Sequence, residues 1–285
     1  MIPDTPPPGF VQLPITGGFA GNFGPIYARR EADRVWFGFC VDDRHLNPRA
    51  IAHGGALATF ADMQLAAMML TDRLPRKQSP TVSLSLDYLA PVRAGDWVEG
   101  EVLLVKRTGR LAFTEAILTV GGETVARSRA MFAHAEKAPP LTAAPAAPLG
   151  FVDAPAPDGF EPLDPGPGFG AVFGPMHWAD NPARVGFRVA PRHINLFGLC
   201  HGGALAMLAD YQLAPLRRAG LVSGPFAPTL SLSIDYLNAA RLGEWIEAEA
   251  KLVRATGRYL FTEALLSNAS GPVARSTAIY ALARS

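Results

Sequence analysis

Two stretches of the 285-residue chain carry chemically capable side chains at one spacing: HGGALATFADMQLA from His53 to Ala66, and HGGALAMLADYQLA from His201 to Ala214. In each, a His-Gly-Gly opens an apolar run with one carboxylate, Asp62 or Asp210, in its middle. Asn47 and Asn195 precede the histidines, and Thr81 and Thr229 follow at the start of a later segment. The first turn of a helix holds backbone N–H groups without an intrahelical acceptor and a partial positive charge, and glycine lets a ligand come close to them. A carboxylate among apolar neighbours has its charged form disfavoured, which suits it to deprotonate water or to attack an acyl carbon itself. Donors at Gly54 and Gly202 with bases or nucleophiles at Asp62 and Asp210 are the parts needed to hydrolyse an activated carbonyl, where an oxyanion must be stabilised and water deprotonated.

Spacing constrains how these parts could meet. Gly54 and Asp62 are eight positions apart, about 12 Å along one helix, whereas both would have to touch one carbonyl at about 3 Å. Two such helices lying antiparallel would place the start of each beside the aspartate of the other. Asn47 and Gly54 would then work with Asp210 and Thr229, and Asn195 and Gly202 with Asp62 and Thr81.

The elements that must position these residues are duplicated as well. His45, Asn47, His53, Asp62, Thr81, Asp87, Tyr88, Trp97 and Glu115 recur 148 positions later as His193, Asn195, His201, Asp210, Thr229, Asp235, Tyr236, Trp245 and Glu263. Upstream the offset is 150, pairing Phe23-Gly24-Pro25 with Phe173-Gly174-Pro175. Each unit has the size of a small domain. The reading is residues 1–136 as an N-terminal domain, an Ala/Pro-rich linker over 137–158, and a C-terminal domain over 159–285. Within a unit the pattern predicts strands over Ile26–Arg30 and Val35–Val41 and a helix from Gly54 to about Thr71, closed by Pro75. TVSLSLDYLAP alternates at period two, WVEGEVLLVKRTGRLAFTEAILTV reads as a hairpin turning at Thr108-Gly109, and ETVARSRAMFAHA adds a strand. A helix that apolar must be buried on most sides, so the fold class is α+β with an antiparallel sheet wrapped around a central helix.

Composition narrows the function classes. With 26 basic and 25 acidic residues the chain lacks the electrostatic footprint of a nucleic-acid or anionic-membrane binder. MIPDTPPPGF has neither a basic nor an apolar leader region, and no run is long enough for a membrane span, so a cytoplasmic location is expected. Cys40 and Cys200 form no CxxC and fit a reducing compartment as buried free thiols. A Cys200–His201 nucleophile would serve one half only, since Ala52 stands at the counterpart position. GxSxG, HExxH and paired CxxC motifs are missing, and the GxGxxA match in GPGFGAVFG is interrupted by Pro167.

Asn47, His53-Gly54-Gly55, Asp62 and Thr81, repeated as Asn195, His201-Gly202-Gly203, Asp210 and Thr229, together resemble the hotdog-fold acyl-CoA thioesterases of the phenylacetate-pathway (PaaI-like) type. The resemblance covers nearly all of both halves. It implies two tandem hotdog domains and composite sites between the halves, acting on an acyl-CoA substrate without metal or redox cofactor. The family commonly has single-domain chains that dimerise, whereas here both halves share one chain, and threonine stands where some members have serine. His53 and His201 are read as groups that position the loop, with a direct proton role as the alternative. Arg107, Arg110, Arg127, Arg129, Arg254, Arg258 and Arg275 are candidates for coenzyme A phosphate contacts, against a charged solvent face as the plainer explanation. The rival functions are a hotdog-fold enoyl-CoA hydratase and a non-catalytic acyl-CoA-binding protein, and pairing of the chain into a homodimer is a further expectation.

Overall fold

In the computed structural model, residues 6–15, 17–32, 34–64, 80–133, 154–224 and 227–282 are described. The first half contributes β1 (Val11–Gln12), α1 (Gly18–Phe23), β2 (Tyr27–Glu31), β3 (Arg34–Cys40), α2 (Gly54–Asp62), β4 (Thr81–Tyr88), β5 (Trp97–Arg107), β6 (Leu111–Val120) and β7 (Glu123–Ala133). The second contributes β8 (Glu161–Leu163), α3 (Phe169–Phe173), β9 (Met176–Ala179), β10 (Arg184–Arg188), α4 (Gly202–Asp210), α5 (Leu213–Arg218), β11 (Thr229–Tyr236), β12 (Trp245–Ala255), β13 (Tyr259–Asn268) and β14 (Gly271–Ala281).

All strands join one antiparallel sheet in the order β1-β2-β3-β5-β6-β7-β4-β11-β14-β13-β12-β10-β9-β8. Its two halves mirror each other about the β4–β11 seam, where Ser85 faces its own repeat counterpart Ser233. A pseudo-two-fold axis therefore passes through that pair. Along the seam Leu84, Leu86, Leu232 and Ile234 are buried, while the intervening serines lie on the other face, as the period-two pattern requires.

The buried face wraps α2 and α4, whose residues are almost all inaccessible, in agreement with the expectation from their apolar sequence. The helices pack directly on each other through their second glycines. A Cβ on Gly55 would stand 2.4 Å from Met207 Sδ, and one on Gly203 2.8 Å from Thr59 Cγ2. Around α2, Phe60 is fully buried and stacks on Phe37 at 4.1 Å between centroids, with Phe39 at 4.5 Å. Phe60→Ala should lower the unfolding free energy by about 3–5 kcal/mol, measurable by urea denaturation, because it leaves a cavity between aromatic neighbours that cannot collapse.

The expected helix from Gly54 to Thr71 needs correction, because α2 ends at Asp62 with Met63 as its C-cap. In the second half the helix stops at Asp210, turns through Tyr211-Gln212, and restarts as the short α5. Gln212 explains the break: it is fully buried, donates to Ser276 Oγ and accepts from Thr262 Oγ1, so the sheet claims the side chain that follows the aspartate. In the first half Gln64 is held likewise by Ser128 and Thr114, while residues 65–79, Pro75 included, lie outside the described residues. So does most of the expected linker. Its end is seen where Arg188 donates to the carbonyls of Ala154 and Pro155.

Candidate active site

Each composite region begins with a loop that the sequence builds twice. Asn47 Oδ1 accepts from Arg49 N–H at 2.9 Å, and Asn195 Oδ1 accepts from Phe197 N–H at 2.9 Å and Leu199 N–H at 3.2 Å. Ala50 takes the left-handed conformation at φ 58, where Gly198 stands in the repeat. The asparagine oxygens are thus committed to the loop, which leaves the amide hydrogens as their remaining donors. Short helices from the opposite half close over these loops. Phe19 N–H donates to Ile194 O, and Phe169 N–H to Leu46 O. Gly18 and Gly168 are needed there: both have positive φ, and a Cβ would lie 2.2 and 2.1 Å from those same carbonyl oxygens.

His45 and His193 pin the base of each loop. His193 is buried, its Nε2–H donates to Phe173 O at 2.7 Å and its Nδ1 accepts from Ala190 N–H at 3.0 Å. Burial pulls this ring down from its ordinary 6.5 to about 4, and lowers His53 and His201 in the same direction. Unfolded, these rings take up protons near pH 6.5, so between pH 6.5 and 4 the unfolded chain binds more protons than the folded one. Stability must therefore fall as pH falls through that window, by up to about 1.4 kcal/mol per pH unit from His193 alone. Urea midpoints at pH 7, 5.5 and 4.5 measure the trend, and His193→Gln should flatten it.

The antiparallel meeting of the helices is realised. Asp210, at the end of α4, accepts from Gly55 N–H at the start of α2 at 3.0 Å through Oδ2, and from Thr229 Oγ1 at 2.8 Å through Oδ1. His53 caps α2: its Nδ1 accepts from the same Gly55 N–H at 2.9 Å and lies 3.3 Å from Asp210 Oδ2. Around the pseudo-axis, Asp62 accepts from Thr81 Oγ1 at 2.7 Å, His201 Nδ1 accepts from Gly203 N–H at 3.0 Å, and the Asp62–His201 separation is 3.4 Å. Gly54 and Gly202 hold the first helical positions, where no intrahelical acceptor exists for their N–H groups. A Cβ on either would lie 2.7 or 2.6 Å from the facing aspartate Oδ2.

Because each ring nitrogen Nδ1 accepts the capping N–H, the neutral histidine carries its proton on Nε2. That geometry makes His53 and His201 capping groups rather than bases at Nδ1. Tyr211 lies parallel to His53, 5.4 Å between centroids and 10° between planes.

Thr81 reaches the helix side only through a backbone irregularity. Leu84, Leu86 and Tyr88 already face inward, so Thr81, at odd parity, would point outward in a regular strand. A register shift between Thr81 and Ser83 against β7 re-aims it, and the same shift occurs between Thr229 and Ser231.

Sequence reasoning also left several residues without a role. Tyr88 Oη donates to Gly54 O at 3.0 Å and Tyr236 Oη to Gly202 O at 3.1 Å. Each thereby fixes the peptide group whose N–H belongs to the second glycine. Burial, then the neighbouring Asp210, holds the Tyr88 phenol well above its usual range, and burial and Asp62 do the same for Tyr236, so both stay protonated donors. The repeat had marked these tyrosines, but nothing in their spacing tied them to a glycine carbonyl.

A cavity of about 720 Å³ opens on the Gly54–Asp210 pair, lined among others by Asn47, Arg49, Tyr88, Tyr211, Arg217 and Tyr280. The late-strand arginines lie elsewhere: exposed Arg127 pairs with Glu115 and exposed Arg275 with Asp235, so the solvent-face explanation holds for these two. Cys200 is buried and its thiol is pushed far up by that burial, which removes it as a nucleophile, while Cys40 is only partly buried, contrary to expectation. Among the described residues no cluster of three His, Cys, Asp or Glu side chains could hold a metal ion, and no helix is long and apolar enough to cross a membrane.

A Pseudomonas aeruginosa protein described as a candidate esterase is 35% identical over 127 residues, 44% of this chain and 95% of its own. Two solved structures share the fold. An Alicyclobacillus acidocaldarius protein of unknown function with a hotdog fold is 17% identical, with TM-score 0.66 over 95% of this chain and all of the other. An acyl-CoA thioesterase II of Mycobacterium marinum is likewise 17% identical, with TM-score 0.60 over 90% of this chain and 93% of the other. The profile of the thioesterase superfamily matches twice, at residues 50–127 and 197–274, which together make more than half the sequence. The chain, two hotdog domains in tandem, belongs to the thioesterase superfamily.

Proposed function

We propose that the protein hydrolyses acyl-CoA thioesters at two composite sites, one at Gly54 and Asp210 and the other at Gly202 and Asp62. One observation carries the reading: each aspartate, its side chain buried at the end of one helix, stands against the glycine N-terminus of the other. The thioester carbonyl would lie over the Gly54 or Gly202 N–H and the asparagine amide, which stabilise the oxyanion. The aspartate, held by threonine and at Asp210 also by the Gly55 N–H, would take a proton from water whose oxygen attacks the acyl carbon, or would attack that carbon itself to give a mixed anhydride that water then opens. In both, the C–S bond breaks and coenzyme A leaves as thiolate. Tyr88 and Tyr236 keep the glycine peptide from rotating away.

The acyl-CoA substrate is supported by Arg49 and Arg217 beside the cavity, since guanidinium groups suit phosphates, and by the activity named for the Mycobacterium marinum protein of the same fold. Domain boundaries near 136 and 159 follow from the same repeat. Thiol release from short, medium, long and aryl acyl-CoAs tests the proposal. Turnover of at least one substrate is expected; binding without release of thiol from any would instead favour the acyl-CoA-binding alternative.

A further inference from the structure

The repeat permits a position-by-position comparison of the two sites. Four positions beside Asp210 carry a polar side chain where the repeat has an apolar one, while Ala90 in the same cavity has Asn238 as its counterpart. Tyr211 follows Asp210, whereas buried Met63 follows Asp62. Tyr280 is the cross-strand partner of Thr229, and Phe132 that of Thr81. Arg49, in the loop facing Asp210, has Phe197 as its counterpart, each with its N–H bonded to the loop asparagine. Asp164, which lines the Asp210 cavity, corresponds to Pro14. At these four positions a polar side chain beside the Asp210 cavity answers to an apolar one in the repeat, while the aspartates, threonines, histidines and helix-start glycines are unchanged.

We infer that the duplication has divided substrate choice: the Asp210 site takes an acyl group bearing a hydroxyl, and the Asp62 site takes a plain hydrocarbon acyl group.

The chemistry of the lining gives the direction. Tyr211 Oη donates to Pro165 O at 3.3 Å and Tyr280 Oη to Asp210 O at 3.2 Å. With their hydrogens committed to backbone carbonyls, these phenol oxygens offer lone pairs to the cavity and so accept from a substrate hydroxyl. Burial, then Asp210, raises both phenols, so neither ionises and loses that orientation. A thioether at Met63 and a phenyl ring at Phe132 offer no comparable acceptor. A hydroxyl brought there would give up its water and find two acceptors fewer, whereas a methylene chain loses nothing. Polar recognition of this kind discriminates more strongly than an apolar pocket does, which makes the Asp210 site the more selective of the two.

The inference rests on the thioesterase reading, and the experiment separates the two. Asp62→Asn leaves the Asp210 site and Asp210→Asn leaves the Asp62 site. Their kcat/KM values would be compared for octanoyl-CoA and 3-hydroxyoctanoyl-CoA, which match in chain length. The hydroxylated-to-plain ratio should be at least about tenfold higher in Asp62→Asn than in Asp210→Asn. Adding Tyr211→Met and Tyr280→Phe to Asp62→Asn should bring its ratio down to that of Asp210→Asn, with thermal melts confirming that each variant folds. Equal ratios in the two single variants overturn the inference while leaving the hydrolase reading intact. If the unmodified protein releases thiol from neither, the hydrolase reading fails, and titration calorimetry of the same two ligands on the unmodified protein and on the Tyr211→Met, Tyr280→Phe variant decides: loss of affinity for 3-hydroxyoctanoyl-CoA alone upholds divided choice, and an equal change for both ligands, or none, overturns it.

Discussion

Replacing Asp62 and Asp210 together by asparagine is expected to reduce thiol release from the best substrate between about a hundredfold and ten-thousandfold, the range over which a general base contributes. Asparagine keeps the shape and can still accept from Thr81, from Thr229 and, at position 210, from the Gly55 N–H, so the loss reports the missing base or nucleophile rather than a collapsed helix end. The single variants discriminate further. On a substrate that both sites accept, each should retain roughly half the turnover, because each composite site draws its carboxylate from a different half. If one single variant matches the double variant while the other matches the unmodified protein, one of the sites is a scaffold and the two-site reading fails.

Adding one methyl group at the helix starts should be nearly as damaging. Gly54→Ala puts a carbon 2.7 Å from Asp210 Oδ2 and Gly202→Ala puts one 2.6 Å from Asp62 Oδ2, closer than such atoms can stand. The aspartate or the helix start must shift, and the donor that faces the carbonyl moves with it. Losing one oxyanion donor lowers turnover about a hundredfold to a thousandfold. The double Gly54→Ala, Gly202→Ala variant is therefore expected to lose that much in kcat while melting within a few degrees of the parent. A variant that melts normally and turns over normally would show that the substrate does not use these helix starts.

The parts of the fold that were legible in advance are those fixed by local periodicity and by duplication. The apolar helix announced its own burial, the alternating strands announced their faces, and the eight-residue gap between Gly54 and Asp62 pointed to a partner helix. What stayed hidden depends on contacts between residues far apart in the chain. The break after Asp210 comes from Gln212 bonding to strands β13 and β14, which helical spacing cannot reveal. The turn of Thr81 toward Asp62 depends on a register shift against β7. Phe19 and Phe169 each close over the opposite half, a crossing that no pattern within one repeat encodes. The repeat singled out Asn47 and Asn195 as candidates, but the commitment of their oxygens to the loop emerged only from the loop's own hydrogen bonds.

The seam at Ser85 and Ser233 has a bearing on what a severed half would be. The assembled sheet ends in β1 and β8, strands of two and three residues, too short to template the addition of another chain. Cut between the repeats, each half would instead bare an eight-residue edge, Thr81–Tyr88 or Thr229–Tyr236, with alternating side chains and a full row of unpaired backbone groups. Such an edge recruits whatever strand it meets, so an isolated half is bound either to rebuild the seam with a second copy or to aggregate.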